Sequence, residues 1–484
     1  MHLPFVYLSA ALAVHVSAWS HPGLLVTDAD ISRIQTKLAD QKEPWVSAWA
    51  YFESLSFSSS SYTPNAVSDI ERPVNGEILW HDAAAAFNLA LRWKVTQEEE
   101  YAEAAAAILT AWGETLTTFS GGDDKYLSAG LQGYELANAA ELLRDYAPFI
   151  EDGWDPFVDM AVNVILPLNI AFLNHEEPSQ HNVLHFFANW ELAQIASIQA
   201  ISVLTENTTA WEFAIDYFKN GDGNGAIGNA ITTLVEEPDM GALLGQGQES
   251  GRDQGHSALD QQLLAAIGQQ AWNQGEDLFS LNDSLILRGA EYFARYNLGH
   301  DVPFEAYTNG IVSYTDISSA SRGATRPTWE LLYAHYVQIK GLDAPWTAAY
   351  RNNTLEYFGG LFEKGIGYGE GSGHYDGVGW GTLLYRLEEE DLEAIQRGTT
   401  STTPQSHAST SSASTASSTM SISSSSITTP TTSSSSPGVS TSLSSTTGTT
   451  TSNTGTSTTE AAVRPTLVHG HSHHHEHSHG HCKA

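Results

Sequence analysis

From about residue 80 to residue 340 the chain is a succession of stretches with apolar residues three and four positions apart. Among them are "HDAAAAFNLALRWKVT", "EEEYAEAAAAILTAWGETL", "YELANAAELLRDYAPFI", "FVDMAVNVILPLNIAFL", "ELAQIASIQAISVLT", "WEFAIDYFK", "SALDQQLLAAIGQQAWNQ", "SLILRGAEYFARYNL" and "RPTWELLYAHYVQIK". This spacing puts one apolar face on each segment, and Ala, Leu and Glu are strong helix formers. Alternating strand patterns are scarce. Polar, Gly-containing loops separate the segments in pairs, which reads as stacked helical hairpins. The predicted architecture is all-α: an incomplete α/α toroid with a cleft at one face. A helical solenoid is the alternative, although no fixed repeat period is visible.

The two ends of the chain read differently. Residues 1–20, "MHLPFVYLSAALAVHVSAWS", have an apolar core too short to span a bilayer and a small-residue site at "VSA", as in a secretory leader. No other apolar run is expected to be long enough to cross a membrane. Three sequons, at Asn207, Asn282 and Asn352, agree with an exported glycoprotein. The only cysteine is Cys482, so residues 21–397 must fold on their core alone. Residues 398–462 are nearly all Ser and Thr and cannot bury enough apolar surface to order themselves. Residues 463–484 contain "VHGHSHHHEHSHGHC", in which His473, His474, His475 and His477 are candidate ligands for zinc, nickel or copper. No hydrophobic tail comes after it to signal a lipid anchor. The formal net charge of −35 argues against nucleic acid and anionic membranes as partners. An acidic substrate would need a local cluster of donors to override that field. The expected state is a secreted monomer, free in the medium or associated with a cell wall.

Four motifs concentrate chemistry. "QESGRDQGHSALD" brings Glu249, Arg252, Asp253 and His256 to a helix start, with glycines that permit a tight backbone path. The plain alternative is a capping or packed histidine. "QHNVLHFFANWELA" brings His181, Asn182, His185, Asn189 and Trp190 to the end of an apolar helix. An amide facing a cleft can donate to a ligand carboxylate. "FARYNLGHDVPFEAYTNG" supplies Arg295, Tyr296 and Tyr307, and "YTDISSASRGATRPTWELLYAHY" supplies Tyr314, Arg322, Arg326, Tyr333, His335 and Tyr336. The plain alternative pairs Arg295 with Glu291 and Arg326 with Glu330. Many of the 13 Trp and 19 Tyr belong to the core, and the others suit a groove where aromatic faces stack on sugar rings.

Together "ESGRDQGHSALD", "AWNQGEDLF", "RGAEYFARYNLGHDVPF", "SRGATRPTWELLYAHY" and "NWELAQIASIQAI" resemble the alginate lyase superfamily of helical-toroid polysaccharide lyases, over roughly residues 60–345. The resemblance implies β-elimination on a uronate polymer of alginate or glucuronan type, without a cofactor. Donors neutralise the uronate carboxylate, a base takes the C5 proton, and an acid protonates O4 as it leaves. It implies Asn189, His256, Tyr307 and Arg322 as the catalytic group, with Asn182, His185, Trp190, Arg252, Tyr314, Arg326 and Tyr333 as substrate contacts. In several members a tyrosine closely follows the histidine; here "SALDQQLLAAIG" has none, so Tyr307, in a loop just after an expected helix, is the first choice for that role, with Tyr314 and Tyr333 in reserve. Two other readings stay open. One is a glycoside hydrolase using two of Glu249, Asp253 and Glu305. The other is a non-catalytic surface protein binding glycan and metal.

Overall fold

The computed structural model describes residues 19–176 and 182–401, with side chains to residue 395. Most of the expected leader, His181, the Ser/Thr-rich segment beyond residue 401, and His473, His474, His475 and His477 lie outside the described residues. In chain order the helices are α1 (Asp28–Ala39), α2 (Trp45–Ser54), α3 (Arg72–Thr96), α4 (Glu99–Thr115) and α5 (Asp124–Leu142). Next come α6 (Trp154–Met160), α7 (Leu166–Leu173), α8 (Ala188–Leu204), α9 (Thr208–Asn220), α10 (Ile227–Ala230), α11 (Gln254–Asn273) and α12 (Leu281–Asn297). The last are α13 (Trp329–Tyr333), α14 (Pro345–Tyr357), α15 (Gly381–Leu384) and α16 (Glu389–Ser401).

Helices α3, α5, α8 and α11 stand side by side in that order as an inner layer. Helix α4 backs α3, α7 and α9 back α8, and α12 backs α11, giving an outer layer. Helices α14, α13, α15 and α1 return from α12 to α3. This is the α/α toroid read from the helical spacing. The two layers differ as burial requires. In α8 every residue except Trp190 is buried, because the helix has neighbours on all sides. In α4, Glu99, Glu100, Glu103 and Glu114 face outward, while Ala102, Ala104, Ala105 and Ala106 are buried.

The inner helices approach closely through small residues. A Cβ built on Gly130 would sit 2.7 Å from the Gln194 amide nitrogen, and one on Gly133 would collide with Ser197. Several buried polar groups between them are paired. Asn169 Nδ2 donates to Gln194 Oε1 (2.6 Å), Ser197 Oγ donates to Asn169 Oδ1 (2.8 Å), and Gln194 Nε2 donates to the Tyr126 carbonyl (2.9 Å). Asn138 Nδ2 reaches Gln270 Oε1 (2.9 Å), and Gln270 Nε2 reaches Gln199 Oε1 (3.1 Å). Satisfied networks of this kind fix one register between helices. Here that register is parallel, so the N-termini of the inner helices emerge on one face. Each N-terminus carries free N–H groups and a partial positive charge.

One expectation is corrected. The continuous helical run Phe149–Leu173 is 25 residues long and, by length and composition, apolar enough to cross a membrane. In this fold it packs against α4, α5 and α8. Proline at 156 and 167 and two π-helical turns kept its length from being legible as one apolar run.

Short two-stranded sheets decorate the N-terminal face. They are β1 (Asp69–Ile70) with β2 (Thr118–Phe119), parallel; β3 (Ile231–Glu236) with β4 (Leu243–Gly247), antiparallel; and β5 (Tyr307–Thr308) with β6 (Ser313–Tyr314), antiparallel.

Candidate active site

Strand β4 delivers the chain into the loop 248–253, which ends at α11. Two side chains of this loop cap α8 from outside. Gln248 Oε1 accepts from the Ala188 amide (3.0 Å), and Glu249 Oε1 accepts from the Asn189 amide (3.0 Å) and from Asn189 Nδ2. A carboxylate at a helix N-terminus complements both the free N–H groups and the dipole. The other Glu249 oxygen accepts from Arg252 Nη1 (2.7 Å), and the Arg252 guanidinium lies 4.0 Å over the Phe187 ring. Burial opposes the Arg252 charge, but Glu249 and Asp253 outweigh it and hold the group protonated.

Asp253 is the N-cap of α11. Its Oδ1 accepts from the His256 amide (2.9 Å) and its Oδ2 meets His256 Nδ1 (2.6 Å). Burial pushes the Asp253 carboxyl up, yet the His256 hydrogen bonds and the Arg252 charge bring it down to about 2. An ionised carboxylate on Nδ1 fixes the ring orientation and leaves Nε2 for other work. The His256 side chain is 41% exposed, Arg252 is 24% exposed, and Asn189 is 1% exposed.

The tyrosines arrive on the β5–β6 hairpin, where Tyr307 and Tyr314 are cross-strand partners. The Tyr307 hydroxyl accepts from Gln248 Nε2 (3.1 Å) and donates to Asn224 Oδ1 (3.4 Å). Burial raises the Tyr307 hydroxyl above its ordinary value, against the opposing hydrogen bonds from Gln248 and Asn309. Tyr314 lies against the backbone of Gly251, where any Cβ would strike its ring. Asn182 and His185 hold the neighbouring rim: Asn182 Nδ2 donates to the Asn309 carbonyl (3.2 Å), and the half-buried His185 ring packs on Phe186. Beneath the hairpin, Asn224 Nδ2 donates to the carbonyls of Leu184 (3.2 Å) and Phe186 (2.6 Å). Glu191 braces that loop, accepting from Gly225 N (2.7 Å) and the Tyr217 hydroxyl (3.0 Å); burial pushes its carboxyl up to about 7.

Asn189, Arg252, His256, Tyr307 and Tyr314 are therefore gathered by one loop, 248–253. Asn182 and His185 stand at its rim, and the remaining predicted residues go elsewhere. Arg322 is engaged at the C-terminus of α12, donating to the carbonyls of Tyr296 (2.8 Å) and His300 (2.9 Å) and stacking on the Tyr296 ring. Trp190 joins an aromatic cluster with Phe172 and Phe186. Tyr333 lies at the end of α13 under Arg351. His335 is packed against Phe279 and Trp272, with burial lowering it to about 3.

The expected local ion pairs also give way to distant ones. Arg295 pairs with Glu237 and Asp239, while Glu291 caps α14 through the amides of Trp346 and Thr347. Arg326 pairs with Asp376 (3.1 Å), which Arg72 also approaches (3.4 Å). Glu330 takes Arg351 and Arg386 instead.

Around Asp376 is a second polar cluster that sequence reasoning missed. Arg72 opens α3 and lies over Trp80, and Tyr375 stacks on Trp80. The strap "GGLFEKGIGYGEGSGHYDGVGWG" carries Tyr375 and Asp376. Its density of glycine interleaved with aromatics was the available signal.

The carboxylates offered for hydrolysis are not a free pair. Glu249 is buried under Asn189 and Arg252, Asp253 holds His256, and Glu305 is exposed.

Parallel helix starts, joined to a guanidinium, an imidazole, an amide and a phenol at one loop, fit a helical-toroid polysaccharide lyase. The alginate lyase family pattern matches residues 63–302, and the chain belongs to the alginate lyase superfamily. Two solved structures of alginate lyase A1-III, a substituted form complexed with tetrasaccharide and the apo form of another, are 14% and 13% identical to this chain. Both align with a TM-score of 0.50 and cover 77% of this chain and 98% of theirs. The same enzyme from Sphingomonas species A1 is 12% identical, with a TM-score of 0.48 and the same coverage. At these identities the likeness speaks for the fold. A search of curated proteins gives no match.

Proposed function

We propose that the protein is a secreted eliminase of a uronate polymer of alginate or glucuronan type, acting at the 248–253 loop. The convergence of Asn189, Arg252, His256 and Tyr307 on that loop carries the reading. Arg252 and His256, the accessible donors, neutralise the uronate carboxylate, while the buried Asn189 amide holds Glu249 behind them. Charge can then develop on it as the C5–H bond breaks. The C5 electron pair forms the C4–C5 double bond, the C4–O4 bond breaks, and O4 takes a proton. Tyr307, kept protonated by burial, is suited to give that proton. Where proton and leaving group lie on opposite faces of the ring, His256 is neutral and its Nε2 takes the C5 proton, leaving the carboxylate to Arg252. Where they share a face, the tyrosine serves both steps once nearby positive charge has released its own proton to solvent: as phenolate it takes the C5 proton and then gives it to O4. Arg322 and Tyr333 are left outside this assignment.

Incubation with polymannuronate, polyguluronate, glucuronan and hyaluronan tests the reading through ultraviolet absorbance of the new double bond. Reducing ends without that absorbance would mean hydrolysis, and no product from the panel would leave a binding protein. Export rests on the leader and the sequons, of which Asn282 and Asn352 are exposed. The N-terminal sequence and glycan mass of material recovered from culture medium test it. Metal capture by the tail histidines is tested by zinc titration of the chain truncated after Gly398; undiminished uptake would remove that role.

A further inference from the structure

We propose that Asp260 is a positioning residue that carries a proton and donates it to Glu249, so that a single negative charge holds Asn189 and Arg252 in place. The proposal rests on the function proposed above. Asp260 lies on α11 two turns beyond Asp253 and is buried, at 3% exposure. Neither of its carboxyl oxygens meets an N–H or O–H donor among the described residues. Its partner is Glu249, itself fully buried and already accepting from Asn189 and Arg252. Two buried carboxyl groups in contact cannot both ionise, and the charge settles on the one that faces the donors. That one is Glu249, so the proton belongs on Asp260.

The surrounding charges support this division. Facing the pair are Arg252 and Asp253 from the loop, Asn189 from α8, and Tyr307 from β5. Burial and the Glu249 charge push the Asp260 carboxyl well above the usual range, and Arg252 only partly offsets them. Loss of the proton would put a second negative charge behind Arg252. The guanidinium would then be drawn inward, away from a substrate carboxylate. Asp260 acts on the reaction only through Glu249 and the two groups that Glu249 holds.

Asp260→Asn in the full chain keeps a donor that cannot ionise. Asp260→Leu removes the donor. Each is assayed across pH on whichever polymer the wild type cleaves. The expected result for Asp260→Asn is a kcat within about 3-fold of wild type at the optimum, with the alkaline fall moved up by about one pH unit or more. Asp260→Leu is expected to lower kcat by about 10-fold or more with a smaller change in KM. An unmoved alkaline limb in Asp260→Asn overturns the proposal. An infrared difference spectrum of wild type against Asp260→Asn gives a readout independent of activity. A protonated carboxylic acid band lost in the variant supports the assignment, and its absence from the wild type refutes it. Should no polymer yield unsaturated product, the functional reading fails, while the infrared band still decides where the proton resides.

Discussion

Glu249 and Glu363 are buried glutamates that each cap a helix with a carboxyl neighbour and an arginine at hand, and beside Glu249 alone of the two a histidine stands at the surface. At the proposed active site, Glu249 caps α8 through Asn189, has Asp260 as a buried carboxyl neighbour, and binds Arg252. At the opposite wall, Glu363 caps α13 through the amides of Trp329 (2.9 Å) and Glu330 (3.1 Å). Its carboxyl neighbour is Glu330, which binds Arg351 (3.0 Å) and Arg386 (3.3 Å). The two diverge just beyond the cap. After Glu249 the chain turns through Gly251 and Gly255 and sets His256 at the surface. Around Glu363 the polar neighbours close on one another, with Thr382 Oγ donating to Glu330 and accepting from the Glu363 amide. A cap of this design holds helices together in one place and presents donors in the other.

Replacing His256 with Ala should break the contrast most sharply. A loss in kcat of about 10²–10³-fold is expected, the scale of removing one donor to developing charge, with little change in melting temperature. A variant that melts early in proportion to its lost activity would make His256 a structural residue after all.

The second effect belongs to the Glu363 cap. Burial, then the Glu330 charge, push the Glu363 carboxyl up to about 8. The folded state thus keeps a proton that the unfolded chain loses near 4.5. This contribution to stability is complete below pH 4.5 and disappears as pH rises through 8. The size is on the order of a few kcal/mol. Glu191, pushed up to about 7, acts in the same direction. Calorimetric melting temperature should therefore fall between about pH 5 and pH 8, and Glu363→Gln should flatten that slope. A slope identical to wild type would show that the wall does not titrate as the buried pair demands.

The smallest effect is expected at Arg322. Its donors serve the end of α12, so Arg322→Ala should change kcat by about 3-fold or less while lowering stability by about 1 kcal/mol. A loss as large as that of His256→Ala would return Arg322 to the reaction and redraw the site.

The outer helices were legible because one-sided burial leaves a periodic trace, and the inner ones, buried nearly all round, were legible as long runs of strong helix formers such as Ala and Leu. The loop carrying Arg252 and His256 was legible for a local reason: glycines, an N-cap acid and a histidine three positions on form a compact unit. What escaped depended on long-range contact. A tyrosine close after His256 was the family expectation, yet the nearby phenols come from a hairpin some fifty positions downstream. Helical spacing offers Arg295 and Arg326 an acid one turn away, but burial gave them partners on other segments. Arg72 and Asp376 meet across 304 positions, a distance at which no spacing rule operates.

The spacing of the inner helices is decided about two turns below the face that carries the 248–253 loop. Where α5 crosses α8, a hydrogen stands in place of a side chain at Gly130 and Gly133, and even one methyl would have to wedge the two rods apart. Because Asn189 begins one of those rods, such a wedge would shift the amide relative to Glu249 while leaving every reactive group intact. The spacing beneath the proposed site is thus held by two absent side chains in the wall.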